Sequence, residues 1–277
     1  YGSGGGGGGH GGRGGGSFGS STGGGAYDSL VNPVEPGSGG GGYDYFVLYP
    51  GGAGGGAVML PAGGTLRLDG NINAAGTGVT GNAYGGGGAG GAIKIKAVNL
   101  SGTGALNADG GSGTGGAGGG GRIAVSVSGN DDSNLAMTAK SIYGYSGYGG
   151  AGTIYVSNAS GIRLIVSNGA NAADYQTPIS SAIAGTGLLT VSTLSMANAR
   201  LTFEKSVAPV ITSNAEFTGV NTLAISSLTV SSDLSFSANS TLQQQSTTTL
   251  TFIGNLTMQS GSKATISPNP SGARLYA

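Results

Sequence analysis

The stretch "GGGGAGGAIKIKAV" (residues 85–98) decides the fold. A nearly pure glycine run leads straight into residues 93–96, where two isoleucines alternate with two lysines. Alternation with a period of two predicts a β-strand with one buried face and one solvated face. The fold of the chain therefore depends on what several copies of this glycine-then-strand unit build together.

The same unit, a Gly/Ala run followed by an alternating strand, recurs three times, in "GGAGGGAVML" (51–60), "AGGGGRIAVSV" (117–127) and "YGGAGTIYV" (148–156). Alignment on one branched aliphatic residue of each strand gives spacings of 35, 30 and 31 residues between Val58, Ile93, Ile123 and Ile154. Further strand-like segments follow the first three units, at 65–76, 104–111 and 135–147. Such regular spacing indicates a repeat architecture.

Glycine usage divides the chain into two regions. Of the 63 glycines, 54 lie in residues 1–150 and 9 in residues 151–277. The second region is rich in Ser, Thr, Asn and aliphatic residues, and short apolar-polar-apolar triads recur in it. Three leucine pairs in these triads are each separated by 22 residues: Leu201 and Leu223, Leu228 and Leu250, and Leu234 and Leu256. We therefore predict a glycine-rich repeat region over 1–155 and a Ser/Thr-rich region of about 22-residue coils over 156–277.

These repeats predict an all-β fold, namely a parallel β-helix (β-solenoid). Three short strands joined by turns in a coil of about 22 residues are what such a solenoid stacks. A β-sandwich would also show short strands, at intervals of about 8–12 residues. The constant 22-residue step favours the solenoid, because a sandwich has no reason to keep one coil length.

The glycine runs are predicted to be ordered layers of this solenoid. Ordering glycine costs more backbone entropy than ordering any other residue, so dense backbone hydrogen bonding must offset that cost. Two arrangements can do this: extended polyglycine-II-like helices packed side by side, or solenoid corners that stack too closely for a Cβ. The runs keep phase with the strands, which flexible linkers would not do.

Composition excludes several classes of function. Eleven basic residues balance eleven acidic ones and only 8% of residues are charged, which predicts no nucleic-acid partner. An RNA-binding Arg-Gly protein would need many Arg-Gly-Gly units, and only Arg13 and Arg122 touch glycine runs. No apolar run approaches the roughly 18–20 residues that span a bilayer. The chain has no cysteine, which excludes a disulfide scaffold and a thiolate metal site. It shows no signal peptide and begins at Tyr1, which suggests a piece of a longer protein.

No catalytic, cofactor or metal site is predicted. His10 is the only histidine, and we expect it either to cap glycine carbonyls or to fill a gap in the glycine wall. The Gly-x-Ser-x-Gly match at 15–19 has no downstream histidine to activate its serine. Among the acids only Asp131 and Asp132 are adjacent, and a solvated turn is favoured there over a calcium site.

Clustered tyrosines are the candidate contact residues. Tyrosine is amphipathic and can stack on a sugar or on a neighbouring subunit, although it can equally cover the edge of a glycine layer. The candidates lie in "YDYFVLY" (43–49) and "SIYGYSGYGG" (141–150), and are Tyr43, Tyr45, Tyr143, Tyr145 and Tyr148.

Residues 5–160 resemble a glycine-rich repeat module of large bacterial extracellular and surface proteins. The resemblance is carried by "GGGHGGRGGGS" (7–17), "GGGGAGGAIKIKA" (85–97) and "LNADGGSGTGGAGGGGRIAV" (106–125). The remainder is similar, more loosely, to β-helical passenger and adhesin regions of the filamentous-haemagglutinin and autotransporter type. The resemblance implies an extracellular location and a structural or adhesive role, with no catalytic residues.

The sequence thus predicts a non-enzymatic extracellular protein that forms a surface fibre, sheath or adhesin stalk. Its expected partners are further copies of itself, associated end to end or laterally as an oligomer or filament, or the rest of a longer chain, with surface glycans as a further candidate. The alternative is a glycan- or receptor-binding adhesin tip, as in phage tail fibres, that uses the tyrosines. A polysaccharide-active enzyme is a weaker alternative, and it predicts a cleft with at least two converging carboxylates.

Overall fold

The computed structural model describes residues 4–19, 21–45, 47–79, 84–145, 147–237, 239–245 and 250–266, and of residues 45, 47, 48 and 266 only the backbone. The described residues form 26 strands and one short helix. The strands of the glycine-rich region are β1 (Tyr43–Tyr45), β2 (Val47–Tyr49), β3 (Ala57–Pro61), β4 (Thr65–Arg67), β5 (Asn71–Asn73), β6 (Ala92–Ala97), β7 (Asn99–Gly102), β8 (Ala105–Asn107), β9 (Arg122–Val127), β10 (Asp131–Ser133), β11 (Ala136–Thr138), β12 (Tyr143–Gly144), β13 (Gly147–Tyr148) and β14 (Thr153–Asn158).

The predicted alignment of the glycine-rich repeats is confirmed. Parallel pairing joins β3 to β6, β6 to β9 and β9 to β14, and the four aligned aliphatic residues stand in direct register: Val58 with Ile93, Ile93 with Ile123, and Ile123 with Ile154. Each of the first three repeats adds two more short strands, which stack in the separate parallel sheets β10-β7-β4 and β11-β8-β5. The aliphatic face of these strands forms one buried cluster that includes Ile95, Leu100 and Leu106.

The glycine runs pack against one another through their backbones. Gly8 donates to Gly87 O at 2.9 Å and accepts from Gly119 N at 2.9 Å, so that three segments far apart in sequence meet. Gly111 N in turn donates to Gly88 O at 2.7 Å. These segments contain neither helix nor strand. They form a bundle of extended segments, which we call the glycine bundle (the runs within residues 4–16, 37–41, 51–56, 85–91 and 115–121).

The second region adds strands to the sheet that contains β3, β6, β9 and β14, and it also forms a separate sheet of its own. Its elements are β15 (Gly161–Ser167), β16 (Thr177–Ile179), α1 (Ser181–Ala184), β17 (Leu188–Ala197), β18 (Arg200–Phe203), β19 (Ala208–Thr218), β20 (Thr222–Ile225), β21 (Leu228–Val230), β22 (Leu234–Phe236), β23 (Thr241–Gln244), β24 (Leu250–Phe252), β25 (Leu256–Met258) and β26 (Lys263–Ile266). The 22-residue step is confirmed as strand register, because Leu201 pairs with Leu223, Leu228 with Leu250 and Leu234 with Leu256.

A second buried cluster lies between the two sheets of this region. Phe217 and Phe236 stack with their ring centroids 4.7 Å apart, and the paired leucines surround them. The sheets are the continuation of the 11-stranded sheet and a separate five-stranded parallel sheet, β16-β18-β20-β23-β26. The apolar-polar-apolar triads of the sequence therefore contribute a row of buried apolar side chains to each of these two sheets.

The prediction of a parallel β-helix with glycine layers is wrong for the described residues. The strands form six separate sheets, with no closed coil, and the largest sheet is mixed. Strands β14 and β15 pair antiparallel from Ile154–Ile165 to Asn158–Gly161, which reverses the strand direction between the two regions. Gly161 permits this tight reversal because its φ is +116°, where a side chain would be strained. The glycine runs form the bundle, and they are not layers of a coil.

Candidate functional site

An aromatic cluster lies at one end of the glycine bundle, and Phe18 is at its centre. The Phe18 ring makes edge contacts with three tyrosine rings, with centroid distances of 5.0 Å to Tyr84, 5.8 Å to Tyr145 and 5.9 Å to Tyr43. Tyr43 also contacts Tyr84 edge-on at 5.4 Å and stacks on Tyr49 at 6.3 Å. Edge-to-face and offset aromatic pairs stabilise such a cluster beyond the area they bury.

A groove of about 490 Å³ opens beside this cluster. Its lining comes from three chain segments and is Val79, Tyr84, Ser112, Gly113, Thr114, Tyr143 and Tyr145. Backbone hydrogen bonds join these segments, from Val79 N to Ser112 O at 2.9 Å and from Tyr145 N to Gly115 O at 2.6 Å. The glycine bundle thus positions the groove, because two lining segments directly precede the glycine runs 85–91 and 115–121 and the third is hydrogen-bonded to Gly115.

The structure brings part of the predicted tyrosine set together. Tyr143 and Tyr145 line the groove and are 57% and 59% exposed. Tyr148 contacts Tyr143 at 5.6 Å but does not line the groove, and Tyr43 is buried within the cluster. The side chain of Tyr45 lies outside the described part of the chain.

Sequence reasoning missed most of this site, including Phe18, Tyr84 and Thr114. Phe18 and Tyr84 are isolated aromatics in glycine-rich sequence, so no local pattern marks them. The hydroxyl of Thr114 is a buried side-chain oxygen without a hydrogen-bond partner in the structure. Only the packing of the bundle reveals that these residues share one surface with Tyr143 and Tyr145.

A buried polar network links the glycine bundle to the strands. His10 is fully buried, its Nδ1 lies 2.9 Å from Gly90 O, and its Nε2 lies 3.2 Å from Asp28 Oδ2. The side chain of Asp28 is only 3% exposed, and its oxygens also accept from the N–H groups of Ser29, Val34 and Glu35 at 2.7–3.0 Å. The contact with Gly90 O agrees with the predicted carbonyl-capping role of His10, and the carboxylate partner was not foreseen.

The Asp28 carboxylate is held in its charged form by this network. Burial by itself would raise the pKa of Asp28, but the hydrogen bonds from His10 and from the three backbone N–H groups together lower the pKa below its usual value. Asp28 adopts φ +64°, a conformation that Asp and Asn tolerate better than most residues. The Asp28 carboxylate therefore holds together the loop of residues 28–35 through these hydrogen bonds.

Arg122, the arginine beside a glycine run, is fully buried. Its Nε donates to Tyr27 O at 2.8 Å and one terminal nitrogen donates to Thr153 Oγ1 at 2.9 Å. Burial lowers the pKa of Arg122 to about 10, and the charges of Asp28 and Tyr27 act in the opposite direction. With its guanidinium buried among these partners, Arg122 is not exposed to solvent.

Three carboxylates share a cleft in the described part of the chain. Asp28, Glu35 and Glu204 line one cleft, but the oxygens of Asp28 are already occupied by the network above. No group of three His, Cys, Asp or Glu residues that could hold a metal ion occurs in the described part of the chain.

Asp131 and Asp132 lie in strand β10 and not in the solvated turn that was predicted. Their side chains diverge, because successive strand residues point to opposite faces. Asp131 accepts from Ser133 Oγ and from Asn158 Nδ2, both at 2.7 Å. Burial would raise the pKa of Asp131, but these hydrogen bonds outweigh burial and lower it. Both partners are donors that a cation would have to displace.

Across the ranges that the structure describes, no helix has the length and apolar character needed to span a membrane. No protein family, no curated protein and no solved structure matches this chain significantly. The similarity to bacterial surface proteins therefore stays a prediction.

Proposed function

We propose that this chain is a structural module of an extracellular fibre, sheath or adhesin stalk, and that copies associate end to end. One observation carries the proposal: among the described residues, no further strand pairs with either end of the stacked strands, and apolar side chains at both ends are only partly covered. Open edges present unpaired backbone groups, which pair readily with another strand. The extracellular location is supported by the resemblance of the glycine-rich repeats to surface proteins.

The first open end consists of β3, β4 and β5, which are terminal strands of three different sheets. Leu60, Leu66 and Ile72 on these strands pack against the buried cluster from one side only and stay partly exposed. Pro61 ends β3 and lacks a backbone N–H, so pairing with another copy would use the residues before it.

The opposite end consists of β24, β25 and β26. Phe252, Leu256 and Met258 are partly buried against the second cluster, and Ile253 is 69% exposed. Apolar rows at both ends let one copy continue the core of the next. The glycine bundle supports a stalk role as well, because its backbone hydrogen bonds cross-link distant segments and resist bending.

The sedimentation coefficient of the chain is expected to rise with protein concentration, and electron micrographs should show filaments. Leu66→Lys places a charge on the first open end and should return the protein to monomers, because burying an unpaired charge in an interface is costly. The measurement is sedimentation velocity across a hundredfold concentration range, with thermal melting to verify that the variant is folded.

Val98→Lys is the matched control. Val98 is 41% exposed and lies between β6 and β7, neither of which is a terminal strand of its sheet, so this variant should assemble like the parent protein. A parent protein that stays monomeric at every concentration would contradict the proposed assembly, as would a folded Leu66→Lys variant that still forms filaments.

A further inference from the structure

We propose that the groove lined by Tyr84, Ser112, Thr114, Tyr143 and Tyr145 binds a neutral saccharide. This goes beyond the structural role, because no lining residue belongs to an open end: the groove lies at residues 79–145, outside β3–β5 and β24–β26. Assembly and ligand binding can therefore fail or succeed separately.

The exposed rings supply the stacking surface. Tyr143 and Tyr145 are more than half exposed, and Tyr84 is 39% exposed on the same groove. Tyrosine offers a large, rigid face with a polar hydroxyl at its rim and loses little conformational entropy on binding. The apolar C–H face of a sugar ring fits the ring faces, while sugar hydroxyl groups meet the phenol oxygens.

The rings are preorganised by their surroundings. Tyr145 and Tyr84 both rest edge-on against Phe18, and Tyr143 rests against Tyr148. The backbone beneath them is tied to the glycine bundle through Gly115 and also by the bond from Gly113 N to Tyr143 O at 3.2 Å. A site that is ordered before binding avoids part of the entropy cost of association.

Hydroxyl groups of the same lining supply hydrogen bonds. Ser112 is exposed there, and the neighbouring Thr114 oxygen is buried without a partner in the structure. An unsatisfied buried hydroxyl is costly, and a ligand hydroxyl reached by a small rotation of the side chain would relieve that cost. A sugar carries many such hydroxyl groups.

Charge selects the ligand class. None of the seven lining residues is acidic or basic. A phosphorylated or carboxylated ligand would lose its hydration in this groove without gaining an ion pair, which disfavours binding. The volume of about 490 Å³ falls within the usual range for small-ligand sites. The groove therefore fits a short, uncharged oligosaccharide.

The test is titration of the full chain with neutral tetrasaccharides of glucose, mannose and N-acetylglucosamine, with tetragalacturonate as the charged probe. Calorimetry and tyrosine fluorescence report binding, since the chain has 12 tyrosines and no tryptophan. At least one neutral probe should bind in the micromolar to millimolar range. Tyr143→Ala and Tyr145→Ala should each weaken that affinity at least tenfold without changing sedimentation behaviour.

Tyr49→Ala is the matched control. Tyr49 is 38% exposed in the same aromatic cluster but does not line the groove, so its removal should leave affinity unchanged. Thr114→Val, which keeps the shape of the side chain and removes the unsatisfied hydroxyl, should weaken binding severalfold and leave the melting temperature of the free protein unchanged or higher. The proposal is overturned if no neutral probe binds, if tetragalacturonate binds best, or if Tyr143→Ala disrupts assembly and not sugar binding.

Discussion

Gly88→Ala is expected to lower the free energy of unfolding by about 3 to 5 kcal/mol, near the upper limit for a single substitution. A Cβ at Gly88 would overlap the carbonyl group of Ala53 and lie 2.8 Å from Gly54 N. These atoms belong to the backbone of a neighbouring glycine run, which cannot move without breaking its own hydrogen bonds. The segments would have to separate, and the bundle would loosen.

Thermal or urea denaturation measures this effect, and Gly63→Ala is the control. A Cβ at Gly63 would meet nothing within 4 Å, and its φ is not in the left-handed region. Alanine there should be neutral or stabilise by up to about 1 kcal/mol, because it restricts the unfolded chain. If the two variants unfold at the same temperature or urea concentration, then close packing of the glycine bundle does not stabilise the protein.

Asp28→Ala is expected to destabilise the protein by roughly 3 to 5 kcal/mol, as is typical when one partner of a buried polar pair is removed. The substitution leaves His10 and three backbone N–H groups without their acceptor. It also places alanine at φ +64°, where a Cβ is strained. Asp28→Asn keeps one acceptor oxygen and a residue type that tolerates this φ, so its loss should be clearly smaller. Equal losses for both variants, measured by urea denaturation, would contradict the assigned role.

Lowering the pH should reduce the folding stability of the parent protein through protonation of Asp28. The folded state lowers the pKa of Asp28, so its contribution to stability is complete above the unfolded pKa and is lost as the pH falls through the folded pKa. Melting temperature recorded from pH 7 downward should fall below about pH 4, close to the model-peptide value for aspartate. Asp28→Asn should show a shallower fall, since an amide does not titrate. Parallel curves for the two proteins would exclude Asp28 as a source of acid sensitivity.

Local pattern identified the repeats but not the direction of the chain. The period of two that marks Ile93 and Ile123 also marks Ile154 and Ile165, and all four lie in strands of one sheet. Alternation describes which face of a strand is buried and carries no information about strand direction. The reversal between β14 and β15 therefore escaped the solenoid prediction, although Gly161 was a local sign of a turn.

The candidate site was only partly predictable for a related reason. Tyr143 and Tyr145 are close in sequence and were recognised as a cluster, whereas Phe18 and Tyr84 reach them through the folded bundle. His10 and Asp28 are 18 residues apart, and His10 and Gly90 are 80 apart. Long-range contacts of this kind leave no periodic pattern, since each involves one residue of a glycine-rich segment.

The sequence by itself determined the β-rich class and the register of the repeated strands, because alternating burial and a constant step are local properties of the chain. The tertiary structure alone decided the six-sheet arrangement, the reversal after β14, the aromatic groove and the buried Asp28 network. Glycine is the physical reason: without side chains, the runs carry no information about their neighbours. Their partners are selected only when the whole chain closes its backbone hydrogen bonds.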